Sequence, residues 1–595
     1  MKSLIKSHPW QWAMGLIALM TVALVACGGA EAPTAAPAAP TKAADVVLAP
    51  TIGIVNTKVP QSTAAPAATP TPGAVATARD TARFVTAEEP TTLGAASANC
   101  GGNIQNTVCD DIASDPLTWI DGKTFEVVPM TQIESWEQLE PDRWRFKLRE
   151  GITFHNGAPW NATQAAFWID FFGDEETSGH HNSNDFSFHG VIGGEAVDEF
   201  TLDITCGKPC PILPKTTTFT KFQDVGWFES ASEDEIERMT VGLGPYKIVE
   251  WRAGVEIELE AFENYKPNNS YASQAPAVKH LFQVWRNEPL VRAAMLEAGE
   301  ADWAEISLDD KDRVPKYKVG TNNEAYIYNI DIIHHPELRK VEVREALNLA
   351  TDCETLMEKL FDNLLKCYGN IAQTGTTGIT PENSAGYPYD PDRARQLLKD
   401  ANYDPANKIV LSIRSQRVPK DVEYAEAVVT YWTEVGINAE LNVVESSVHA
   451  GIGRSNCGHG RTKAEFAAAA GATLEEKCKT LGPGKPTFAS MQMSAPATST
   501  ESLDFSRQGI LRNSCYSRSS GICEQKLEEM IDEANATDTG PLRVERQTAV
   551  ADHVHNHFHF HPNFINVVVY GLSKDLEWEP YYAPRIRANT FRFTN

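Results

Sequence analysis

From Arg83 onward the chain carries bulky apolar residues at two recurring intervals. Trp144, Phe146 and Leu148 alternate with Arg145, Lys147 and Arg149, the two-residue period of a strand with one face buried. Val255, Ile257 and Leu259 alternate likewise with Glu256, Glu258 and Glu260; Ile409, Leu411 and Ile413 form another run, as do Ile437, Ala439, Leu441 and Val443. Helical intervals lie between such runs. Val343, Ala346, Leu347 and Ala350 stand at i, i+3, i+4 and i+7, one apolar stripe of a helix. Asp390-Pro391 reads as an N-cap with proline at the first helical position, and Ala394, Leu397, Leu398 and Ala401 supply that helix's buried face. Strands interleaved with helices predict an α/β architecture with some mixed sheet.

Residues 1–82 break the pattern. Lys2 and Lys6 precede an almost wholly apolar stretch, Ala13 to Ala26, too short to span a bilayer comfortably and suited to the core of an export signal. It ends in Leu24-Val25-Ala26-Cys27, which resembles the lipobox of bacterial lipoproteins. Residues 1–26 are therefore expected to be a signal peptide, with Cys27 lipidated and anchoring the chain to the bilayer; an ordinary signal peptide or an uncleaved anchor is the alternative. Residues 27–82 are rich in Ala, Pro and Thr. Such a segment has too little to bury to order itself and predicts a semi-extended tether.

Length and charge narrow the picture. A chain of 595 residues exceeds what one core serves, so at least two lobes are expected. The formal net charge of -26 repels phosphate backbones and excludes nucleic acid as a partner. Of the 11 cysteines, Cys27 is taken by the anchor, and the remaining ten fall along the chain as near neighbours. Disulfides persist outside the cell, so the expected pairs are Cys100–Cys109, Cys206–Cys210, Cys353–Cys367, Cys457–Cys478 and Cys515–Cys523, although sequence does not fix connectivity. The spacings are not those of paired CxxC metal ligands.

Six blocks then share an order. They are Asp115-Pro-Leu-Thr-Trp119 leading to Trp144-Arg-Phe-Lys-Leu-Arg-Glu-Gly-Ile-Thr-Phe-His-Asn-Gly157; Gly242-Leu-Gly-Pro-Tyr246 with Trp251; Met295-Leu-Glu-Ala-Gly-Glu-Ala-Asp302; Val341 to Asp352; Tyr389 to Leu398; and Val435-Gly-Ile437. In these blocks the chain resembles the family 5 extracytoplasmic solute-binding proteins, which include peptide and nickel receptors of ABC importers. The resemblance implies a periplasmic-binding-protein type II-like two-lobe α/β fold with an interlobe cleft and a two-segment hinge. Lobe I would comprise 83–324 plus 567–595, and lobe II 325–566. It further implies a monomer that closes over a small solute and delivers it to an ABC importer permease, with no cofactor and no catalysis.

Most of these blocks have a structural meaning. In Arg145 to Gly157 the charges are expected to face water and the aromatics to pack; Gly151 and Gly157 suit turns, and His155 reads as a satisfied structural histidine. For the cleft, the candidates are Trp119, Tyr326 and Tyr328, together with Asn513 and Tyr516 of a segment similar to the family's N-x-x-Y. Peptide-binding relatives carry a Trp and an Asp pair ahead of that segment. Here the corresponding stretch is Met491-Gln-Met-Ser-Ala-Pro-Ala-Thr498, where Met491 and Met493 offer adaptable apolar contact instead of an acid. A buried ammonium would lack its partner there. The ligand's amine is therefore bound elsewhere, or the ligand has none.

One motif stands outside the resemblance. His553, His555, His557, His559 and His561 alternate. On a strand all five would share a face; on a helix His553 and His557 would stack as metal ligands do. This run motivates the alternative of a metal or metal-chelate (nickel-type) receptor. An exported enzyme is the remote alternative, since HExxH, G-x-S-x-G and P-loop motifs are absent; a tethered sensor would share the fold.

Overall fold

The computed structural model describes residues 79–97, 100, 104–174, 190–268, 271–414, 418–445, 448–449, 463–481, 490–494, 503–505, 514–515, 521–581 and 585–594. In chain order the strands are β1 (Thr81–Thr86), β2 (Thr118–Ile120), β3 (Val127–Pro129), β4 (Ile133–Glu140), β5 (Arg143–Leu148), β6 (Val191–Asp198), β7 (Thr201–Cys206), β8 (Tyr246–Arg252), β9 (Glu256–Ala261), β10 (His280–Trp285), β11 (Trp303–Ile306), β12 (Lys316–Ile330), β13 (Ile409–Ile413), β14 (Ala439–Val443), β15 (Met491–Ser494) and β16 (Phe560–Leu572). Among the described residues, ten of them form one mixed sheet in the order β14-β13-β15-β12-β16-β11-β1-β10-β9-β8, and β4-β5-β7-β6 form a second.

The alternating runs become strands for the expected reason, with informative exceptions. Trp144, Phe146 and Leu148 of β5 are buried, packing with the helix Ala162–Gly173 in one core. The opposite face of β5 is not simply solvated. Arg145 grips the buried Asp203 of β7 through Nε (2.7 Å) and Nη2 (2.9 Å), and Arg143 joins it. Ile257 and Leu259 are buried in β9, whereas Val255 is exposed before the strand; the turn at Gly254 has φ +74°. β13 is fully interior, but β14 is the sheet edge, so its Val443 is exposed although Ile437 is buried. The helix Val341–Leu349 buries Val343, Ala346 and Leu347. Asp390 caps the helix Pro391–Asp400, its side chain accepting from Arg393 N at 2.8 Å. Gly151 and Gly157 have φ of +69° and +86°.

β12 and β16 are the longest strands and run side by side through the sheet. They pair antiparallel from Lys316–Leu572 to Asn329–Phe560. At one end β16 pairs with β11, and at the other β12 pairs with β15. The β12–β16 register breaks between Thr321 and Ala325, opposite Val567 and Ile565. A second register shift lies between Tyr326 and Ile327.

The structure contains Cys100–Cys109, Cys206–Cys210, Cys353–Cys367 and Cys515–Cys523 as disulfides. Cys478 is also disulfide-bonded; its expected partner Cys457 lies outside the described residues, as does Cys27.

Candidate functional site

Two groups of segments, far apart in the chain, meet at a polar seam. On one side, the β2–β3 hairpin turns through Phe125 (φ +58°). Beside it lie the short helix Leu213–Thr216 and the turn Thr217–Phe219. Thr118 Oγ1 joins these pieces, donating to Pro214 O (2.5 Å) and lying 2.9 Å from Thr217 Oγ1. On the other side, Thr377 pairs along the Leu503–Phe505 segment. Thr377 N donates to Leu503 O (2.9 Å) and Phe505 N to Thr377 O (3.3 Å). Asp504 next door is held by Arg543 through two bonds of 2.9 Å, both groups buried.

Lys215 crosses the seam. Its Nζ donates to Thr377 Oγ1 (3.3 Å) and Leu503 O (3.2 Å). Burial lowers its pKa, the nearby Asp504 carboxylate opposes that and Arg543 adds to it. Phe125 crosses as well: a Cβ on Gly375 (φ +90°) would lie 2.7 Å from its ring. Gln373 Nε2 and Thr376 Oγ1, flanking Gly375, are buried without a hydrogen-bond partner among the described residues. The seam thus offers a desolvated ammonium, an aromatic ring, an amide donor and a hydroxyl. That set suits an anionic or strongly polar organic group.

The residues singled out from sequence sit elsewhere. Trp119 is 2% exposed and already covered by Tyr581 (4.9 Å between rings), Arg585 (4.2 Å) and Arg587 (5.2 Å). Tyr326 stacks on Phe564 and Tyr328 on His561. With Met491 and Met493 of β15 they belong to a single hydrophobic core. All four side chains are buried in that core. β12 and β15 are interior strands, and the opposite face of β12, with Ala325 and Ile327, is covered too. Burial pushes both phenols well above their ordinary pKa. Asn513 and Tyr516 lie outside the described residues.

The histidines do not share one face. His553 and His555 lie in the last turn of the helix Pro541–Asn556, His557 ends it, and His561 lies in β16. His553 and His557 stack at 3.9 Å, as the helical spacing predicts. His555 Nδ1 lies 2.9 Å from Gly369 O, and His561 Nε2 lies 3.0 Å from Thr351 Oγ1. Of the run, and among the described residues, His553 and His559 converge on a carboxylate, that of Glu524.

Sequence reading missed Lys215, Gln373, Thr376 and Thr377. The one available signal was Lys215 itself, the single charge between the Cys210-Pro-Ile-Leu-Pro run and three threonines.

Residues 127–472 match the bacterial extracellular solute-binding proteins, family 5 (middle part). The chain belongs to this family. It is 25% identical over 329 residues to the glutathione-binding protein GsiB of Shigella flexneri, covering 51% of this chain and 58% of the relative. The chain thus spans less than two thirds of the length of that relative. Among solved structures it is similar to the ABC transporter substrate-binding protein CtaP from Listeria monocytogenes, with TM-score 0.71, 18% identity, and coverage of 87% of this chain and 100% of that one. It is also similar to NikZ from Campylobacter jejuni in complex with Ni(L-His), with TM-score 0.63, 15% identity, and coverage of 86% and 99%. The fold of this family 5 protein is that of the type II periplasmic binding proteins. Among the described residues, no helix is long and apolar enough to cross a membrane.

Proposed function

We propose that this protein is the extracytoplasmic receptor of an ABC importer, a monomer tethered to the bacterial membrane through lipidated Cys27 and residues 27–82. It captures a small peptide-like or other organic solute between 83–324 plus 567–595 and 325–566. The observation that carries this reading is Lys215, a half-buried cation whose bonds reach from one part to the other. A solute carboxylate at the seam would pair with this ammonium, and Gln373 and Thr376 would add hydrogen bonds. This chemistry does not ask for an acid that binds an amine, in keeping with the Met491–Thr498 stretch. The β12–β16 pair, irregular at Thr321–Ala325, is the hinge about which the parts rotate. Contacts to both sides exist only when closed, so solute shifts the balance to the closed form, which the permease recognises.

Native mass spectrometry of the purified mature protein, followed by thermal shift with short peptides and other organic carboxylates, tests the reading. A cognate solute at 100-fold excess over Kd stabilises by about 2.7 kcal/mol. No shift with any peptide or carboxylate, and no co-purifying organic molecule, would overturn it.

A further inference from the structure

We propose that Glu524, His553 and His559 form a resident site for a transition-metal ion of the zinc class, separate from the solute seam. Three elements converge there. Glu524 is the residue before the helix Gln525–Asn535 and follows Cys523, which is bonded to Cys515. His553 lies in the last turn of the helix Pro541–Asn556, and His559 lies between that helix and β16.

The backbone is bent to bring the imidazoles together. Phe558 adopts φ +51°, a left-handed conformation that non-glycine residues avoid. His559 N donates to Val554 O (3.3 Å), closing the turn. Arg344 fixes it from outside, donating to the carbonyl oxygens of His557 (2.8 and 3.1 Å) and Phe558 (3.0 Å).

The donor atoms match a coordination sphere. His553 Nε2 lies 3.1 Å from one Glu524 oxygen and His559 Nε2 3.3 Å from the other, and all three donor atoms lie within 4.8 Å of one another. Ligands at the usual 2.0–2.2 Å from zinc stand about 3.4 Å apart in a tetrahedron. Both histidines are buried, while Glu524 is partly open. Glu524 and His559 line a cavity of about 280 Å³, together with Glu475 and the cationic Arg339, Arg344 and Lys479. Two imidazoles and one carboxylate select Zn²⁺, Ni²⁺ or Co²⁺ over Mg²⁺ and Ca²⁺. The ion would clamp both helices to the start of β16.

The test uses the mature full-length protein, prepared without a metal-affinity step and stripped with EDTA. Titration with Zn²⁺ and Co²⁺ is followed by calorimetry, elemental analysis and Co²⁺ absorption. One equivalent should bind, with a Co²⁺ spectrum of nitrogen and oxygen ligation and a higher Tm in the presence of Zn²⁺. His559→Gln and Glu524→Gln should each weaken binding at least about tenfold, whereas His555→Gln should leave it unchanged. Absence of binding to the wild-type protein overturns the proposal and leaves a hydrogen-bonded triad. Equal loss in His555→Gln, or retention in both ligand variants, also overturns it. These outcomes read Zn²⁺ and Co²⁺ alone, so they are independent of whether the seam holds an organic solute.

Discussion

Lys215 Nζ and Thr377 Oγ1 lie 3.3 Å apart although 162 residues separate them. The bond joins parts that the proposed function requires to separate and reclose. Lys215→Met keeps the stem and removes the charge. Hydrogen bonds to a charged group contribute about 1.5–3 kcal/mol, so affinity for a carboxylate solute should fall by about tenfold or more. Stability should change little or rise, because the ammonium is desolvated in the fold. Calorimetric titration together with thermal unfolding checks both; unchanged solute affinity in this variant would remove Lys215 from the site.

Gly375 faces Phe125 so closely that a methyl group has no room. Gly375→Ala carries two separable costs, the clash and the backbone strain at φ +90°. The backbone part amounts to about 1–2 kcal/mol. Denaturant unfolding should show Gly375→Ala destabilised, with Phe125→Ala restoring the steric part and not the rest. Additive effects in the double variant would show that the two residues do not meet.

Elements were legible where one face is buried and the period is sustained. β5, β13 and the helices Val341–Leu349 and Pro391–Asp400 all begin and end within two residues of the runs that announced them. Val255 and Val443 misled for physical reasons: one sits in a turn and the other on a sheet edge, where alternation continues without burial. The site was hardly legible. Tyr326 and Tyr328 carry the chemistry of a binding wall, but β12 lies inside the sheet, and strand order is not written in local periodicity. Lys215 acquires a role only through Thr377 and Leu503, and no local pattern announces such a meeting. Glu524 was invisible as the carboxylate partner of His553 because the two are 29 positions apart in the chain.

Cys353 opens the helix Cys353–Phe361, and its disulfide partner Cys367 bridges to Phe564 of β16. The crosslink therefore ties that helix to one of the two long strands. A closed loop of this length restricts the unfolded chain by about 3 kcal/mol. Cys353→Ser/Cys367→Ser should lower stability by roughly that amount in urea unfolding under oxidising conditions. An unchanged midpoint would show that the bridge adds nothing to the packing around it.

Lipidation at Cys27 is tested by Cys27→Ser. The wild-type chain should incorporate labelled palmitate and partition into detergent, and the variant should do neither. Labelling that persists in the variant would place the lipid elsewhere.

His155 sets an acid limit on stability. It is half-buried, with Nε2 3.0 Å from Gly244 O and the Phe262 ring edge-on at 5.0 Å. Burial holds the imidazole down to about 4 from its ordinary 6.5, backbone hydrogen bonds to Gly244 and Thr240 oppose this, and Lys247 adds to it. Between these two pH values the unfolded chain takes up a proton that the folded protein refuses. Stability from this residue is therefore complete above about 6.5, declines as the pH falls toward about 4, and declines no further below. The interval corresponds to roughly 3 kcal/mol. His155→Gln removes the titration but keeps a hydrogen-bonding side chain. Urea unfolding at several pH values from 7.5 to 4 should show a shallower loss in the variant, with the difference from wild type largest at pH 7.5 and shrinking with acid. Parallel curves would mean that His155 titrates alike in both states.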